Sequence, residues 1–295
     1  MQVVSDPRQF TDACAALRSS GGFGFVPTMG ALHEGHLQLL RHARELTGRS
    51  VASIFVNPTQ FGPNEDLAKY PRDLERDVAA CESVGVDLVF TPTAATMYPA
   101  GEQTRVLPGE LAKGLCGASR PGHFAGVCTV LAKFFHLTGP CTAIFGRKDY
   151  QQFRVVERMA RDLFFPIHVV GYPIVREADG LAMSSRNRYL SESERARALT
   201  ISQSLKIAQA SYAAGERSAQ LLVNTACSAL TTQGLEIDYV QLVDPNELIP
   251  VSGILAGPAL LAIAVFSGRT RLIDNAVLGE PAAWVDRGGR GEATS

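Results

Sequence analysis

Residues 23–36 read FGFVPTMGALHEGH, and this stretch predicts a strand, a turn and the start of a helix. The apolar run 23–26 is short and favours β-structure, and Pro27 and Gly30 interrupt it. Apolar residues then recur at helical spacing until Gly48, so the two histidines lie at a helix start. Backbone N–H groups without intrahelical partners and the positive end of the helix dipole stabilise phosphate there. The stretch therefore indicates a nucleotide site.

His33 and His36 leave two other interpretations open. Each imidazole can donate a hydrogen bond to a phosphate oxygen, which favours the nucleotide site. A zinc site also uses closely spaced histidines, but the sequence lacks H-E-x-x-H and offers no obvious third ligand nearby. A purely structural pair of histidines is the second alternative, and these two residues alone do not exclude it.

Apolar segments alternate with helical ones through the first half of the chain. The runs 51–56, 87–90 and 142–145 read as buried strands, and helical patterns such as 74–84 separate them. This alternation predicts βαβ units and therefore an α/β fold, with a Rossmann-like parallel-sheet domain over residues 1–175.

Other parts of the chain carry weaker patterns. Residues 1–22 predict an amphipathic helix that precedes the first core strand, and 127–137 predict another helix. The segment 91–109 is rich in Pro, Thr and Gly and predicts irregular structure. Beyond residue 175 we predict a smaller α+β domain over 176–286, followed by a frayed, Gly-rich tail over 287–295.

Composition excludes several classes of protein. The 46% hydrophobic content supports a packed core, and a formal net charge of -1 gives no basic field for stable nucleic-acid binding. No charged segment followed by an apolar one occurs at the N-terminus, and the longest apolar stretch, 253–266, is too short to span a bilayer. We therefore expect a cytoplasmic protein without membrane association. The six cysteines are scattered without C-x-x-C, so we expect reduced thiols.

Two amides follow the predicted strand 51–56. Asn57 and Gln60 lie where the carboxyl ends of parallel strands bind ligands in open α/β sheets. Uncharged amides both donate and accept hydrogen bonds, which suits holding a substrate hydroxyl and carboxylate. An ordinary Asn-Pro turn is the alternative.

Charged residues follow the predicted strand 142–145. Lys148 offers a mobile positive charge for phosphate, Asp149 offers an acceptor for a ribose hydroxyl, and Gln152 lies one turn further on the same helix face as Lys148. A solvated helix start is the alternative. The segment 183–187, Met-Ser-Ser-Arg-Asn, provides hydroxyls and an Arg that can close over a triphosphate, although Ser-rich turns also begin ordinary helices.

Four separated motifs coincide in this sequence, at 27–36, 55–61, 146–152 and 183–187. Together they resemble the pantoate–β-alanine ligase (pantothenate synthetase) family of the HxGH nucleotidyltransferase superfamily, which also includes class I aminoacyl-tRNA synthetases. The likeness extends through RPGHF at 120–124 and TRLIDN at 270–275 and so covers nearly the whole chain. Arg147 departs from the acidic or amide residue that is frequent at this position in the family.

The resemblance implies an ATP-dependent ligase of pantothenate and coenzyme A biosynthesis. The reaction condenses (R)-pantoate with β-alanine through a pantoyl adenylate and releases AMP and pyrophosphate. The implied partners are ATP, pantoate and β-alanine, together with a second copy of the chain in a homodimer. Mg²⁺ is implied as the cofactor that accompanies ATP, without assigned protein ligands.

The resemblance also implies site residues. The implied catalytic residues are His33, His36, Lys148, Ser184, Ser185 and Arg186. The implied ATP-binding residues are Met29, Gly30, Ala31, Leu32, His33, Glu34, Gly35, His36, Gly146, Arg147, Lys148, Asp149, Val175, Met183, Ser184, Ser185 and Arg186. Gln60, Gln152 and Asn57 are implied for pantoate and β-alanine. The family assigns His36 as proton donor, whereas our hypothesis is that a hydrogen bond suffices because pyrophosphate is an acceptable leaving group.

Two competing functions remain open at this point. A one-step nucleotidylyltransferase shares H-x-G-H but does not need Gln60 and Gln152 together. A nucleotide-binding regulator without catalysis would be expected to lack His36, Lys148 or Ser185, and all three are present.

Overall fold

The computed structural model describes residues 1–63, 65–281 and 284–285. The chain forms two compact units: the first comprises Met1–Arg147 and Gln152–Tyr172, and the second comprises Lys148–Gln151 and the chain from Pro173 onwards. The sequence-based boundary at residue 175 lies just inside the second unit, and no sequence pattern indicates that Lys148–Gln151 belongs to that unit. The predicted tail over 287–295 lies outside the described residues.

A parallel six-stranded sheet forms the centre of the first unit. Its strands are β1 (Gln2–Val4), β2 (Gly24–Thr28), β3 (Ser50–Ile54), β4 (Leu88–Phe90), β5 (Cys141–Gly146) and β6 (Ile167–Tyr172). Their order is β1-β4-β3-β2-β5-β6, and every pairing is parallel. The predicted Rossmann-like parallel sheet is confirmed.

Helices connect these strands. They are α1 (Pro7–Ser19), α2 (Glu34–Thr47), α3 (Leu74–Ser83), α4 (Ala94–Met97), α5 (Cys116–Ser119), α6 (His123–Thr138) and α7 (Tyr150–Asp162). Aromatic side chains from helices and strands pack against one another in the core of the first unit. The rings of Phe10 and Phe90 stack with centroids 4.2 Å apart, and Phe134 meets Phe25 edge-on at 6.0 Å.

Three secondary-structure predictions for the first unit differ from the structure. The sequence predicts one helix over residues 1–22, but β1 precedes α1 and pairs with β4. A strand of three residues is too short to show alternation, and its partner is distant in sequence. The segment 91–109 contains the short helix α4, and α6 begins at His123 rather than at residue 127.

The second unit combines helices with antiparallel strands, which confirms the predicted smaller α+β part of the fold. Its elements are β7 (Ile174–Val175), α8 (Glu192–Ala213), α9 (Ala219–Thr232), β8 (Glu236–Val243), β9 (Ala259–Ser267), β10 (Thr270–Leu278) and β11 (Trp284–Val285). β9 lies between β10 and β8 in an antiparallel sheet, and β7 pairs with β11 in parallel. The capping box predicted at Ser191 is present, with Glu194 as its second member.

The sequence-based prediction lacks β10. Asp274 and Asn275 of this strand are polar but only 3% and 7% exposed. They interrupt the alternation of apolar and polar residues by which a strand is recognised. All six cysteines are free thiols. Among the described helices, none has the length and apolarity that a bilayer span requires.

Candidate active site

The carboxyl ends of β2 and β5 define the candidate site in the first unit. The chain proceeds from β2 to β3 and β4 on one side and returns to β5 and β6 on the other. Open α/β sheets bind ligands at such a switch point because the connections leave in opposite directions and open a crevice. The segment with the two histidines follows β2, and Gly146 ends β5.

Pro27 separates β2 from β5 at this end. β2 pairs with β3 along its whole length but with β5 only at Gly24 and Phe25. The Gly24 N–H and the Thr28 carbonyl form hydrogen bonds on the β3 side, whereas the Phe23 carbonyl accepts a hydrogen bond from β5. The backbone groups of successive strand residues point to alternate sides, so those of Pro27 point towards β5, and proline has no N–H to donate. The ladder stops there, and the two strands part at their carboxyl ends.

A buried carboxylate holds the turn after β2. Asp77 of α3 is 2% exposed, and its Oδ2 and Oδ1 accept from the backbone N–H groups of Ala31 at 2.7 Å and Leu32 at 2.8 Å. The turn is left-handed at Gly30 (φ 80°) and Ala31 (φ 51°). A Cβ on Gly30 would lie 2.8 Å from Asp77 Oδ2, so both the φ angle and the close approach require glycine. Asp77 therefore fixes the backbone that leads into α2.

The two histidines pack together at the start of α2. His33 is the N-cap residue, and its ring centroid lies 4.0 Å from that of His36. His36 Nδ1 accepts from the His33 backbone N–H at 3.3 Å. A nitrogen that accepts carries no hydrogen, so this bond selects the neutral His36 tautomer with its hydrogen on Nε2. His36 in this form is a hydrogen-bond donor.

The helix start adds backbone donors. Glu34 and Gly35 are the first two residues of α2, and the part of the chain that the structure describes provides no acceptor for their N–H groups. Such donors, together with the positive end of the helix dipole, suit a phosphate group. Phosphate binding around His33 and His36 stays a prediction.

Gln60 lies next to the same turn. It ends the short 3-10 helix Pro58–Gln60 after β3 and is 8% exposed. Its Nε2 lies 2.8 Å from the sulfur of Met29, which belongs to the predicted ATP-binding segment. The structure thus joins a predicted substrate amide to a predicted nucleotide segment within one unit.

The backbone of Gln60 is held from α6. The Gln60 carbonyl accepts from His123 Nδ1 at 2.8 Å and from Arg120 at 3.4 Å. Arg120 also donates to His123 Nε2 at 3.1 Å, and since guanidinium only donates, Nε2 is the acceptor and Nδ1 carries the hydrogen. Arg120 forms a two-pronged ion pair with Glu65, with Nε 2.9 Å from Oε1. The RPGHF motif therefore serves to anchor the segment that carries Gln60.

The second unit holds other predicted ATP residues. Lys148 lies in a 3-10 turn, Arg147–Asp149, and not in the same helix as Gln152, which belongs to the first turn of α7. Asn275 Nδ2 donates to the Lys148 carbonyl at 2.9 Å. Its neighbour Asp274 forms a buried ion pair with Arg176, with Nη1 and Oδ2 at 2.7 Å. The TRLIDN motif thus anchors the backbone at Lys148.

The segment 183–187 is ordered by local bonds of the second unit. Met183 N–H donates to the Val175 carbonyl at 2.9 Å, and Ser184 Oγ accepts from the Arg186 N–H at 3.2 Å. Asn187 Nδ2 donates to Glu177 Oε1 at 2.7 Å and so closes the loop. Ser184 caps the 3-10 helix Ser185–Tyr189, as a serine at a helix start commonly does.

Comparison with known proteins decides the family. Residues 2–277 match the family model described as pantoate-beta-alanine ligase. The pantothenate synthetase of Acidobacterium capsulatum is 56% identical over 263 residues, which cover 88% of both chains. Pantothenate synthetase 1 of Bradyrhizobium diazoefficiens is 51% identical over 94% of this chain and 98% of that relative. The chain belongs to the pantoate–β-alanine ligase family.

Solved structures of this ligase family share the fold. The pantothenate synthetase from Thermus thermophilus superimposes with a TM-score of 0.89 at 47% identity, covering 95% of this chain and all of that one. The pantoate–β-alanine ligase from Francisella tularensis, solved in complex with a form of ATP and β-alanine, gives a TM-score of 0.77 at 32% identity over 96% of this chain and all of that one.

Three residues near the ligase motifs have no role in the sequence-based prediction. Asp77 and Tyr98 contact predicted site segments without belonging to any motif, and Asn275 lies in the TRLIDN motif, whose pattern alone indicates no contact. A lone Tyr in a Pro-rich segment carries no local signal. An aspartate on the apolar side of α3 was the one available sign, because an unpaired carboxylate is rarely buried.

Proposed function

We propose that this ligase makes pantothenate in two steps at residues of the HxGH turn and the Gln60 segment. A pantoate carboxylate oxygen attacks the α-phosphorus of ATP, the bond to the β-phosphate oxygen breaks, and pyrophosphate leaves. The neutral amine of β-alanine then attacks the acyl carbon, AMP leaves with the electrons of the C–O bond, and the new amide nitrogen releases one proton to solvent. Adenylation is needed because a free carboxylate would have to expel oxide.

One contact carries the proposal. Gln60 Nε2 lies 2.8 Å from Met29 Sδ, so the amide proposed to bind pantoate touches the turn proposed to bind ATP. An enzyme that only aligns two reactants gains most from such proximity, since holding the carboxylate near phosphorus removes the entropy cost of their encounter. A one-step nucleotidylyltransferase has no need for this amide.

The residues divide into proposed roles by chemistry. Glu34 and Gly35 N–H groups and the two histidines would stabilise negative charge on the phosphates during attack. Lys148 and Arg186 would supply positive charge to the nucleotide, and Gln60 and Gln152 would bind pantoate. A hydrogen bond from a neutral, buried amide such as that of Gln60 rejects substrates that lack the matching group.

Mg²⁺ enters the proposal as part of the nucleotide. The described residues contain no group of three or more His, Cys, Asp or Glu side chains arranged to hold a metal ion. We assign no protein ligand to Mg²⁺, and phosphate oxygens would carry the ion, as is usual for nucleotide-bound Mg²⁺. No step is assigned to it.

Two further properties belong to the proposal. The charged fraction of 19%, compared with about 25% in typical chains, supports a sizeable interface between two copies. Light scattering tests the homodimer, and fractionation of cells tests the proposed cytoplasmic location.

Isotope exchange tests the proposed function. Labelled pyrophosphate should enter ATP only when pantoate is present, and AMP should form in amounts equal to pantothenate only after β-alanine is added. Pantoate-independent exchange, or a product that retains the nucleotide, would contradict the two-step ligase and favour the nucleotidylyltransferase.

A further inference from the structure

Asn57 is enclosed by protein groups rather than presented to a substrate. It is 1% exposed, and both ends of its amide are bonded within the first unit. The Asn57 Oδ1 accepts from the Thr59 backbone N–H at 3.3 Å, and its Nδ2 donates to the Gly126 carbonyl at 3.1 Å. A backbone N–H only donates and a carbonyl only accepts, so these two bonds fix which end of the amide is which.

The orientation of Asn57 then determines that of Gln60. The second hydrogen of Asn57 Nδ2 goes to Gln60 Oε1 at 3.1 Å. Gln60 Oε1 is therefore turned inwards, and Gln60 Nε2 is turned towards Met29 Sδ. A thioether is a weak acceptor and takes one hydrogen, so Nε2 keeps a second hydrogen for which the described residues provide no acceptor. A partly buried amide with a spare donor points to a ligand with an acceptor oxygen.

Tyr98 completes the arrangement from outside the known motifs. Its hydroxyl donates to Asn57 Oδ1 at 2.7 Å and lies 3.1 Å from Thr59 Oγ1. Burial raises the pKa of this phenol, which keeps it protonated and able to donate. Lys133 Nζ lies 4.3 Å from the ring centroid and holds the ring in place.

We propose that Tyr98 is a positioning residue for substrate recognition: through Asn57 it holds the Gln60 amide so that Nε2, and not Oε1, faces the substrate. Asn57 thereby acts on substrate through Gln60. The amide then donates a hydrogen bond to an acceptor oxygen, either the carboxylate or a hydroxyl of a hydroxy acid such as pantoate. This inference rests on the proposed function, in which Gln60 binds pantoate.

Close packing supports this inference. A Cβ on Gly126 would lie 2.3 Å from the Thr59 carbonyl oxygen and 2.6 Å from the Gln60 nitrogen. The backbone of α6 thus touches the segment that carries Asn57 and Gln60, and glycine is needed for this approach. Because this backbone is closely packed, we expect the loss of one hydrogen bond to alter the orientation of the amide more than the path of the backbone.

Tyr98→Phe tests the proposal, and Tyr212→Phe is a matched control. Tyr212 is also packed against a cation, Arg217 at 3.9 Å, and its hydroxyl donates to the Gly257 carbonyl at 3.2 Å in the second unit. Wild type and both variants are compared by calorimetric titration with pantoate and with ATP, by pantoate-dependent exchange kinetics and by thermal unfolding. Pantoate-dependent exchange by the wild type is required first, and its failure would count against the proposed function.

We expect Tyr98→Phe to weaken pantoate binding about fivefold, as the loss of one hydrogen bond implies, with ATP binding unchanged. Tyr212→Phe should change only the unfolding temperature. Unchanged pantoate affinity in Tyr98→Phe, or equal loss of pantoate and ATP affinity, would overturn the proposal. Either result would show that Tyr98 does not position Gln60 for pantoate.

Asn57→Asp provides a second, independent test. A carboxylate oxygen in place of Nδ2 accepts from Gln60 Nε2 and so turns Gln60 Oε1 towards the substrate. Pantoate affinity should then fall by about thirtyfold or more, because an acceptor faces an acceptor. Pantoate affinity that stays within twofold of wild type in folded Asn57→Asp would contradict the proposed orientation.

Discussion

Asp77 Oδ2 accepts the backbone N–H of Ala31 at 2.7 Å, and this bond ties helix α3 to the turn that precedes the two histidines. The carboxylate is buried, and within residues 1–63 and 65–281 it forms no ion pair. Its charge is stabilised by two backbone N–H groups instead, the second from Leu32. Such charge-assisted bonds are shorter and stronger than neutral ones.

We therefore expect Asp77→Asn to weaken ATP binding more than pantoate binding. The amide NH₂ of asparagine would face one of the two backbone N–H groups, which leaves a buried donor unsatisfied at a cost of about 2 kcal/mol. Exchange kinetics at varied ATP and pantoate, together with urea unfolding, measure the effect. Asp73→Asn is the control, because Asp73 caps the same helix from an exposed position. An equal change in both variants would contradict a specific role for Asp77.

His36→Gln distinguishes a hydrogen bond from proton transfer. In the structure His36 accepts at Nδ1, which favours a neutral ring that donates from Nε2. A glutamine Nε2 donates a similar bond but does not act as an acid near neutral pH. We expect His36→Gln to retain adenylation within about tenfold and His36→Ala to lose about a hundredfold or more. Complete loss of pantoate-dependent exchange in His36→Gln, with ATP binding intact, would favour a proton donor.

The Glu65–Arg120 pair gives a pH-dependent contribution to stability. Hydrogen bonds from Arg120 lower the pKa of the Glu65 carboxyl from its usual 4.5. A lowered pKa in the folded state stabilises the fold above pH 4.5, and this contribution is lost as the pH falls through the folded-state pKa. Glu65→Gln should therefore lower the free energy of unfolding by about 1 kcal/mol at neutral pH and by less in acid.

Urea unfolding of Glu65→Gln at several pH values measures this difference. Glu110→Gln is the control, since Glu110 pairs with Lys113 at the surface, where both side chains are more than two-thirds exposed. Exposed pairs contribute little, so that variant should resemble wild type at every pH. A Glu65→Gln effect that is constant with pH would contradict an ionised pair.

Much of the site could be predicted because its signals are local. Pro27 and Gly30 interrupt an apolar run before a helical pattern, and the structure has a strand, a turn and a helix there. Polar residues after apolar runs placed Asn57 and Lys148 at strand ends. Parallel sheets bind ligands at strand ends, so these positions were candidates for the site. The short strand β1 had no such signal, because its order comes from pairing with β4.

The sequence by itself determined the α/β class, the strand-to-helix turn with its two histidines and the family. These follow from periodicity, from backbone limits on proline and glycine, and from the spacing of motifs, all of which are properties of neighbouring residues. The sequence also specified that amides follow β3, although not which amide is available for a substrate.

Tertiary structure decided the orientation of those groups. Asp77 reaches Ala31 across 46 positions, and Tyr98 reaches Asn57 across 41. Nothing local indicates such partners, because a hydrogen bond depends on where the folded backbone places its donor and acceptor. The direction of the Gln60 amide, and with it the kind of oxygen it can bind, is therefore a property of the folded first unit and not of the motif.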